Sequence, residues 1–391
     1  MTGLDAVLAL CPASDERQRD QLRRRWRLKG LRDLEGAVIF GAAQLGGALA
    51  RSLAEKGLRP AGFSDNDAAR WGGVFEGLPV LAPGALGADR PVVIASKYVK
   101  EIYAGLRNRG LRLVPHYLLP LLFPDDFPAG YHSLSAEAVA AGREQIRSVY
   151  SLLVDSDSRE LFLKLLAFRI SLDPLDLPDP TPGQYFPGDF WRLSPREVFV
   201  DVGACGGDTL AEFLRQTGGV FDRYFAIEPD RKNLEDLGRA IPAGLRERIV
   251  VVPCGAGERR ERVCFAADRG GESRVAADGP AAIEIVSLDE LLAAEAVSTI
   301  KIDVEGYERE VLRGARETIR RDRPKLAVSV YHALRDLWEL PAWIRDCSPH
   351  YRYHLRHHTP EIYDTVLYCV PDAERGAGSV ASEAPSRVGR P

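Results

Sequence analysis

Nowhere in this 391-residue chain do about eighteen apolar residues follow one another without interruption, which excludes a membrane-spanning helix. Met1-Thr2-Gly3-Leu4-Asp5 sets no basic segment ahead of an apolar core, so no signal peptide is expected. An excess of one charge is also missing. Lys+Arg 52 against Asp+Glu 56 leaves a formal net charge of -4, which offers no general attraction to nucleic acid or an anionic membrane. The six cysteines (11, 205, 254, 264, 347 and 369) include no C-x-x-C pair and no zinc spacing. They read as reduced, buried thiols of a cytoplasmic protein. Five of the seven histidines follow Val330, and His354-x-x-His357-His358 has no acid or cysteine at ligand spacing. That run reads as a half-buried strand, and no metal is demanded by the sequence.

The composition present, 45% hydrophobic and 28% charged, is that of an ordinary globular protein, and the length implies two or three domains. Residues 1–35 are arginine-rich (Arg23-Arg24-Arg25-Trp26-Arg27) and read as a helical lead-in with a solvated face. Residues 36–116 alternate strand and helix: Ala37-Val38-Ile39-Phe40, a loop Gly41 to Gly46, a helix from Ala48 to Lys56, and strands Ala61–Phe63, Val92–Ala95 and Arg112–Val114. The loop is a degraded dinucleotide fingerprint, with Ala43 where the second glycine would stand. This unit is similar to nucleotide-binding domains attached to some sugar-modifying enzymes. The resemblance implies a loop that cradles a phosphate of a nucleotide-sugar and an acid near Asp65 that meets the nucleoside; a scaffold without ligand is the alternative. Residues 117–195 form a helical, proline-rich connector. Within it, Tyr185, Phe186 and Trp191 line a substrate entrance or pack against the domain on its C-terminal side. Residues 372–391 are expected to be disordered.

Between 196 and 371 the alternation becomes dense. Val198-Phe199-Val200-Asp201-Val202 runs into Gly203-Ala204-Cys205-Gly206-Gly207-Asp208, and Tyr224-Phe225-Ala226-Ile227 stops at Glu228-Pro229. A buried strand, a tight glycine turn, a helix, then a strand ending in a carboxylate is how a doubly wound fold builds a nucleoside site. A pyrophosphate wants G-x-G-x-x-G, whereas an acid at the helix start repels phosphate and suits a ligand bearing ammonium or sulfonium charge. S-adenosylmethionine is therefore expected over NAD. The cofactor contacts are assigned to Asp201, Gly203, Ala204, Cys205, Gly206, Asp208 and Glu228, with Cys254 and Gly255 at the end of the next strand. Ile300-Lys301-Ile302 stops at Asp303-Val304-Glu305-Gly306-Tyr307-Glu308, and Leu326–Val330 ends at Tyr331-His332. Strands near Tyr351–Leu355 and Thr365–Val370 complete seven.

Those blocks, with Ser287-Leu288-Asp289-Glu290-Leu291, resemble the FkbM family of S-adenosylmethionine-dependent methyltransferases over about residues 196–370. The resemblance implies a class I methyltransferase sheet, transfer to hydroxyl groups of sugars or natural products, cofactor contacts from the Asp201–Asp208 loop and Glu228, and active-site positions for Asp303 and Glu305. Cys205 departs from the family, which commonly carries asparagine or another small polar residue there. His332 is the expected general base, because imidazole titrates near neutrality and its strand adjoins that of Asp303. Asp303 and Glu305 orient it or the acceptor, and the pair also allows a divalent cation. The fold class is α/β: a seven-stranded doubly wound sheet plus a smaller Rossmann-like unit. A saccharide, including a nucleotide-sugar, is the expected substrate. A non-catalytic scaffold in glycan assembly and an NAD-dependent oxidoreductase are the alternatives, and the oligomeric state stays open.

Overall fold

The computed structural model describes residues 3–127, 134–267, 273–276 and 278–372. The expected disordered tail therefore lies, from residue 373 onward, outside the described residues, as does Gly270-Gly271-Glu272. Two α/β sheets succeed one another along the chain. The first is built from β1 (Val38–Phe40), β2 (Gly62–Ser64), β3 (Val74–Phe75), β4 (Leu78–Leu81), β5 (Pro91–Ile94) and β6 (Arg112–Pro115), in the order β3-β4-β2-β1-β5-β6. All of its pairings are parallel except β3 with β4. The β3–β4 hairpin was not foreseen; a two-residue strand gives too little alternation to be read from sequence.

β7 (Val198–Val202), β8 (Arg223–Ile227) and β9 (Ile249–Val252) open the second half. β10 (Gly255–Ala256), β11 (Glu261–Ala266), β12 (Arg274–Val275) and β13 (Ala281–Val286) form a separate four-stranded sheet in the order β10-β13-β11-β12. β14 (Thr299–Ile302), β15 (Lys325–Ser329), β16 (Tyr351–His357) and β17 (Thr365–Pro371) then join the first three in a seven-stranded sheet, β16-β17-β15-β14-β7-β8-β9. Only β17 runs against its neighbours. The class I methyltransferase sheet foreseen from sequence is thus present, and the strand order reverses between β7 and β14.

β7 is buried at every position, as a parallel strand covered on both faces must be. One face packs against the helices Ala136–Leu152 and Ser156–Ser171, through Val139, Ile146, Phe162 and Leu165. The other buries Phe199, Phe213 and Tyr224 under Tyr185, Phe186 and Trp191 of the connector, with the Phe199 and Tyr224 rings stacked at 5.2 Å. The helix Ser156–Ser171 also sends Phe168 into the core of the first sheet, so one helix is shared by two cores. His354 and His357 lie buried within β16, where His354 meets Asp155 at 2.5 Å. Among the described residues no helix is long and apolar enough to cross a membrane.

Candidate active site

At the strand-order reversal the backbones after β7 and β14 come close together. Gly203 takes φ +81, and a Cβ placed there would stand 1.9 Å from the backbone oxygen of Asp303, so no other residue fits. The loop turns on through Cys205 (φ 45) and Gly207 (φ 95) into the helix Asp208–Thr217. Glu228, at the end of β8, closes it: Oε2 accepts the Cys205 N–H at 2.9 Å, while Oε1 accepts the Asp230 N–H at 2.8 Å and the Asn233 amide at 3.3 Å. Burial raises the Glu228 carboxyl above its ordinary range, against the pull of those N–H donors.

A cleft opens beyond this loop. Gly203, Cys205, Glu228, Gly255, Asp303 and Glu305 all line it, so six residues named from sequence meet there. Its far wall comes from the four-stranded sheet, through Phe265, Ile283 and Ile285, with Asn233 and Tyr307 completing it. None of these five was expected. Both strands, β11 (Glu261–Ala266) and β13 (Ala281–Val286), alternate half-buried and exposed residues before a buried end, and nothing in that pattern says that they fold back over Glu228.

Asp201, assigned to the cofactor, does not reach the cleft wall. It is fully buried beneath the loop, with Lys301 Nζ 3.0 Å from Oδ1 and Tyr224 Oη donating to Oδ2 at 2.5 Å. Lys301 donates onward to the Gly203 carbonyl at 2.6 Å, so the ion pair shapes the loop from below. Burial raises the Asp201 carboxyl despite Lys301; burial also works to lower the Lys301 ammonium, but Asp201, Asp303 and Asp208 together raise it. Ala204 is buried in the core on the Phe199 face. Gly206 also stands away from the wall, and Asp208 faces a separate groove with Gln184 and Gln216. Cys254 packs into the core, where burial pushes its thiol up to about 11. The five are set apart for different reasons: Asp201 is still within β7, Ala204 and Gly206 alternate with the lining Gly203 and Cys205, Asp208 opens the next helix, and Cys254 lies beyond β9.

At the other end of the cleft, Glu305 (φ 55) and Gly306 (φ 98) turn the chain back on itself. This brings Glu305 Oε1 to 3.4 Å and Asp303 Oδ1 to 3.7 Å from His332 Nε2, while His332 Nδ1 faces Glu308 Oε1 at 2.9 Å. Glu308 in turn accepts the Val304 and Gly306 N–H groups at 3.0 and 3.3 Å. Burial alone would lower the His332 imidazole; Glu308, Glu305 and Asp303 overcome it and push the group up to about 11. Three carboxylates around one ring favour a positive charge there, which bears against the general-base role expected for it. Tyr185 was read as an entrance or packing residue. Its hydroxyl donates to Asp303 Oδ2 at 2.5 Å and its amide donates to Tyr368 Oη at 2.9 Å. Tyr331 Oη lies 3.5 Å from Asp303 Oδ1. Ser273 lines the cleft and donates to Asp230 at 2.7 Å. Asp289 accepts the N–H groups of Glu317 and Thr318 at the start of the helix Arg316–Asp322.

In the first sheet, Asp65 turns inward. Its carboxylate accepts the Ala42 N–H at 2.8 Å and the Asp67 N–H at 2.9 Å, and the Arg70 guanidinium reaches the Ala42 carbonyl.

Residues 201–355 match the family model of the methyltransferase FkbM domain. The chain is similar to the solved structure of a methyltransferase FkbM from Methylobacillus flagellatus KT, at 26% identity and a TM-score of 0.73, covering 94% of this chain and 99% of that one. An rRNA methylase from Streptococcus thermophilus aligns at 14% identity over 46% of this chain and 88% of its own, with a TM-score of 0.30, too distant to support any argument. No curated protein matches the chain.

Proposed function

From the premise that residues 201–355 are an FkbM methyltransferase domain, which uses S-adenosylmethionine, we propose that the protein methylates a hydroxyl oxygen of a sugar or sugar-bearing metabolite. The observation that carries this reading is the meeting, across one cleft, of Glu228 at one end and Asp303 and Glu305 at the other, with His332 buried behind those two. Bound there, the cofactor supplies a methyl group on a positively charged sulfur, open to displacement by an oxygen lone pair. The residues fit such a ligand. Gly203 leaves its backbone bare for close approach, Glu228 presents a carboxylate to a ribose, and Phe265, Ile283 and Ile285 offer an apolar wall to a purine. The anionic Asp303–Glu305 rim favours a cation over a phosphate.

The acceptor hydroxyl must be aimed and must lose its proton. Asp303, pinned by Tyr185, and Glu305 are the groups to hold it, and His332 orients both carboxylates. A neighbouring groove, lined by Gln184, Tyr185, Asp208, Thr209, Glu212 and Gln216, supplies amides, hydroxyls and carboxylates suited to a polyhydroxylated partner. The Asn/Asp-Pro-Pro-aromatic block of amino-methylating enzymes is replaced here by Asp303-Val304-Glu305-Gly306.

The test is transfer of labelled methyl from S-adenosylmethionine to a panel of saccharides and nucleotide-sugars, followed by treatment with alkali. A methyl ether keeps its label. Label released by alkali, or found on nitrogen, would overturn hydroxyl methylation.

A further inference from the structure

We infer that Asp303, Glu305 and His332 form a divalent-cation site at the acceptor end of the cleft, with Glu308 positioning the imidazole. One oxygen of each carboxylate and one nitrogen of the ring all lie within 4.8 Å of one another. Two ligand atoms each about 2.1 Å from one ion stand about 3.0–3.4 Å apart. Of the separations here, the 3.4 Å from His332 Nε2 to Glu305 already fits, the 3.7 Å to Asp303 is slightly long, and the two carboxylates stand within 4.8 Å of each other.

The cluster is more than a gathering of acids, because two of the three ligands have an orienting partner. The His332 side chain is entirely buried, its Nδ1 faces Glu308 at 2.9 Å, and Glu308 is itself held by two backbone N–H groups. That leaves Nε2 as the nitrogen aimed at Asp303 and Glu305. A carboxylate behind the ring of a ligating histidine is the usual outer shell of a metal site, fixing tautomer and direction. Asp303 is divided in the same way: Oδ2 takes the Tyr185 hydroxyl, and Oδ1 faces His332. Glu305 reaches the cluster only because the backbone turns through positive φ at 305 and 306. A donor set of one imidazole and two carboxylates suits Mn²⁺ or a neighbouring first-row ion better than Mg²⁺ or Ca²⁺, which prefer all-oxygen shells. Three protein ligands leave positions open toward the cleft.

The role of the ion rests on the methyltransferase reading above: it would bind the acceptor hydroxyl and make it more acidic. The binding itself does not rest on it, and the two are separable. The full chain, stripped with EDTA, is titrated with Mn²⁺ while the free-ion electron paramagnetic resonance signal is followed. Parallel samples are tested for the thermal shift given by S-adenosylhomocysteine. The expected result is one ion per chain. Affinity should fall about 10–100-fold in Glu308→Gln, and further in Glu305→Gln and His332→Gln, with the thermal shift retained as proof of fold. Equal Mn²⁺ uptake by wild type and His332→Gln would overturn the site, and so would no uptake by the folded wild type. If His332→Gln does not fold, equal uptake by wild type and Glu305→Gln decides against the site in the same way. Stoichiometric, variant-sensitive uptake without methylation of any hydroxyl acceptor keeps the site and sinks the reaction. Full turnover by EDTA-stripped protein that takes up no Mn²⁺ does the reverse.

Discussion

The two sheets of this chain carry the same device at the same place, and only one of them opens a cleft behind it. In each, the first strand ends in a glycine packed against the backbone oxygen just past the neighbouring strand. A Cβ on Gly41 would stand 2.4 Å from the Ala95 oxygen, and one on Gly203 would stand 1.9 Å from that of Asp303. In each, an acid after the second strand accepts an amide of the first loop, Asp65 from Ala42 at 2.8 Å and Glu228 from Cys205 at 2.9 Å. Beneath the loops the two differ. Ile39 pairs with Val93 in the first sheet, whereas Asp201 pairs with Lys301 at the corresponding register in the second. Above the loops they differ again: Arg70 and Trp71 fold down onto the first, while the β10–β13 sheet stands back from the second and walls a cleft. Glycine plus acid is therefore a way of closing a loop, and it becomes a binding site only where another element leaves room beside it.

Breaking the ion pair should separate the halves most. Lys301→Met leaves Asp201 buried and uncompensated, at a cost of about 3–5 kcal/mol. Adding Asp201→Asn should recover part of this, and Ile39→Met in the first sheet should cost less than about 1.5 kcal/mol. Urea unfolding of the three variants measures it; equal losses in Lys301→Met and Ile39→Met would mean that the pair does not hold the loop. Next come the glycines. Gly203→Ala and Gly41→Ala each force a Cβ onto a carbonyl oxygen at positive φ and should each cost about 2–4 kcal/mol, but only the first should abolish the S-adenosylhomocysteine shift. The smallest effects sharpen the comparison most. Glu228→Ala should weaken S-adenosylhomocysteine about tenfold to a hundredfold by calorimetry, the range of a lost hydrogen bond to a charged group, and Asp65→Ala should leave that affinity unchanged. Weakening by Asp65→Ala would show the two sheets to be coupled.

Much of this was legible in sequence because parallel strands buried on both faces must be continuous apolar runs. β7, β8, β14 and β15 announce themselves, and the residue that ends each run sits on the rim where doubly wound sheets bind ligands. Glu228, Asp303, Glu305 and His332 were expected at the rim on that ground, and the first three line the cleft. Asp201 was misplaced by the same logic. Its position two residues before the glycine lies still within the strand, on the same covered face as Phe199, where a carboxylate is buried and needs Lys301. The walls were not legible. β10 and β12 are two residues long, β11 and β13 alternate without saying which surface they cover, and Tyr185 lies 118 residues from the carboxylate it holds.

By itself the sequence determined the seven strand runs of the second sheet, the glycine turn after β7 and the acids at the strand ends, because these arise from local sterics and from apolar periodicity within a few residues. Only the tertiary structure decided that His332 is gripped by Glu308 with Asp303 and Glu305 beyond it, that Asp201 supports the loop from beneath, and that a four-stranded sheet makes the cleft's far wall. Those relations depend on distances between segments up to about a hundred residues apart, and burial, charge and hydrogen bonding set them only after the chain has closed on itself.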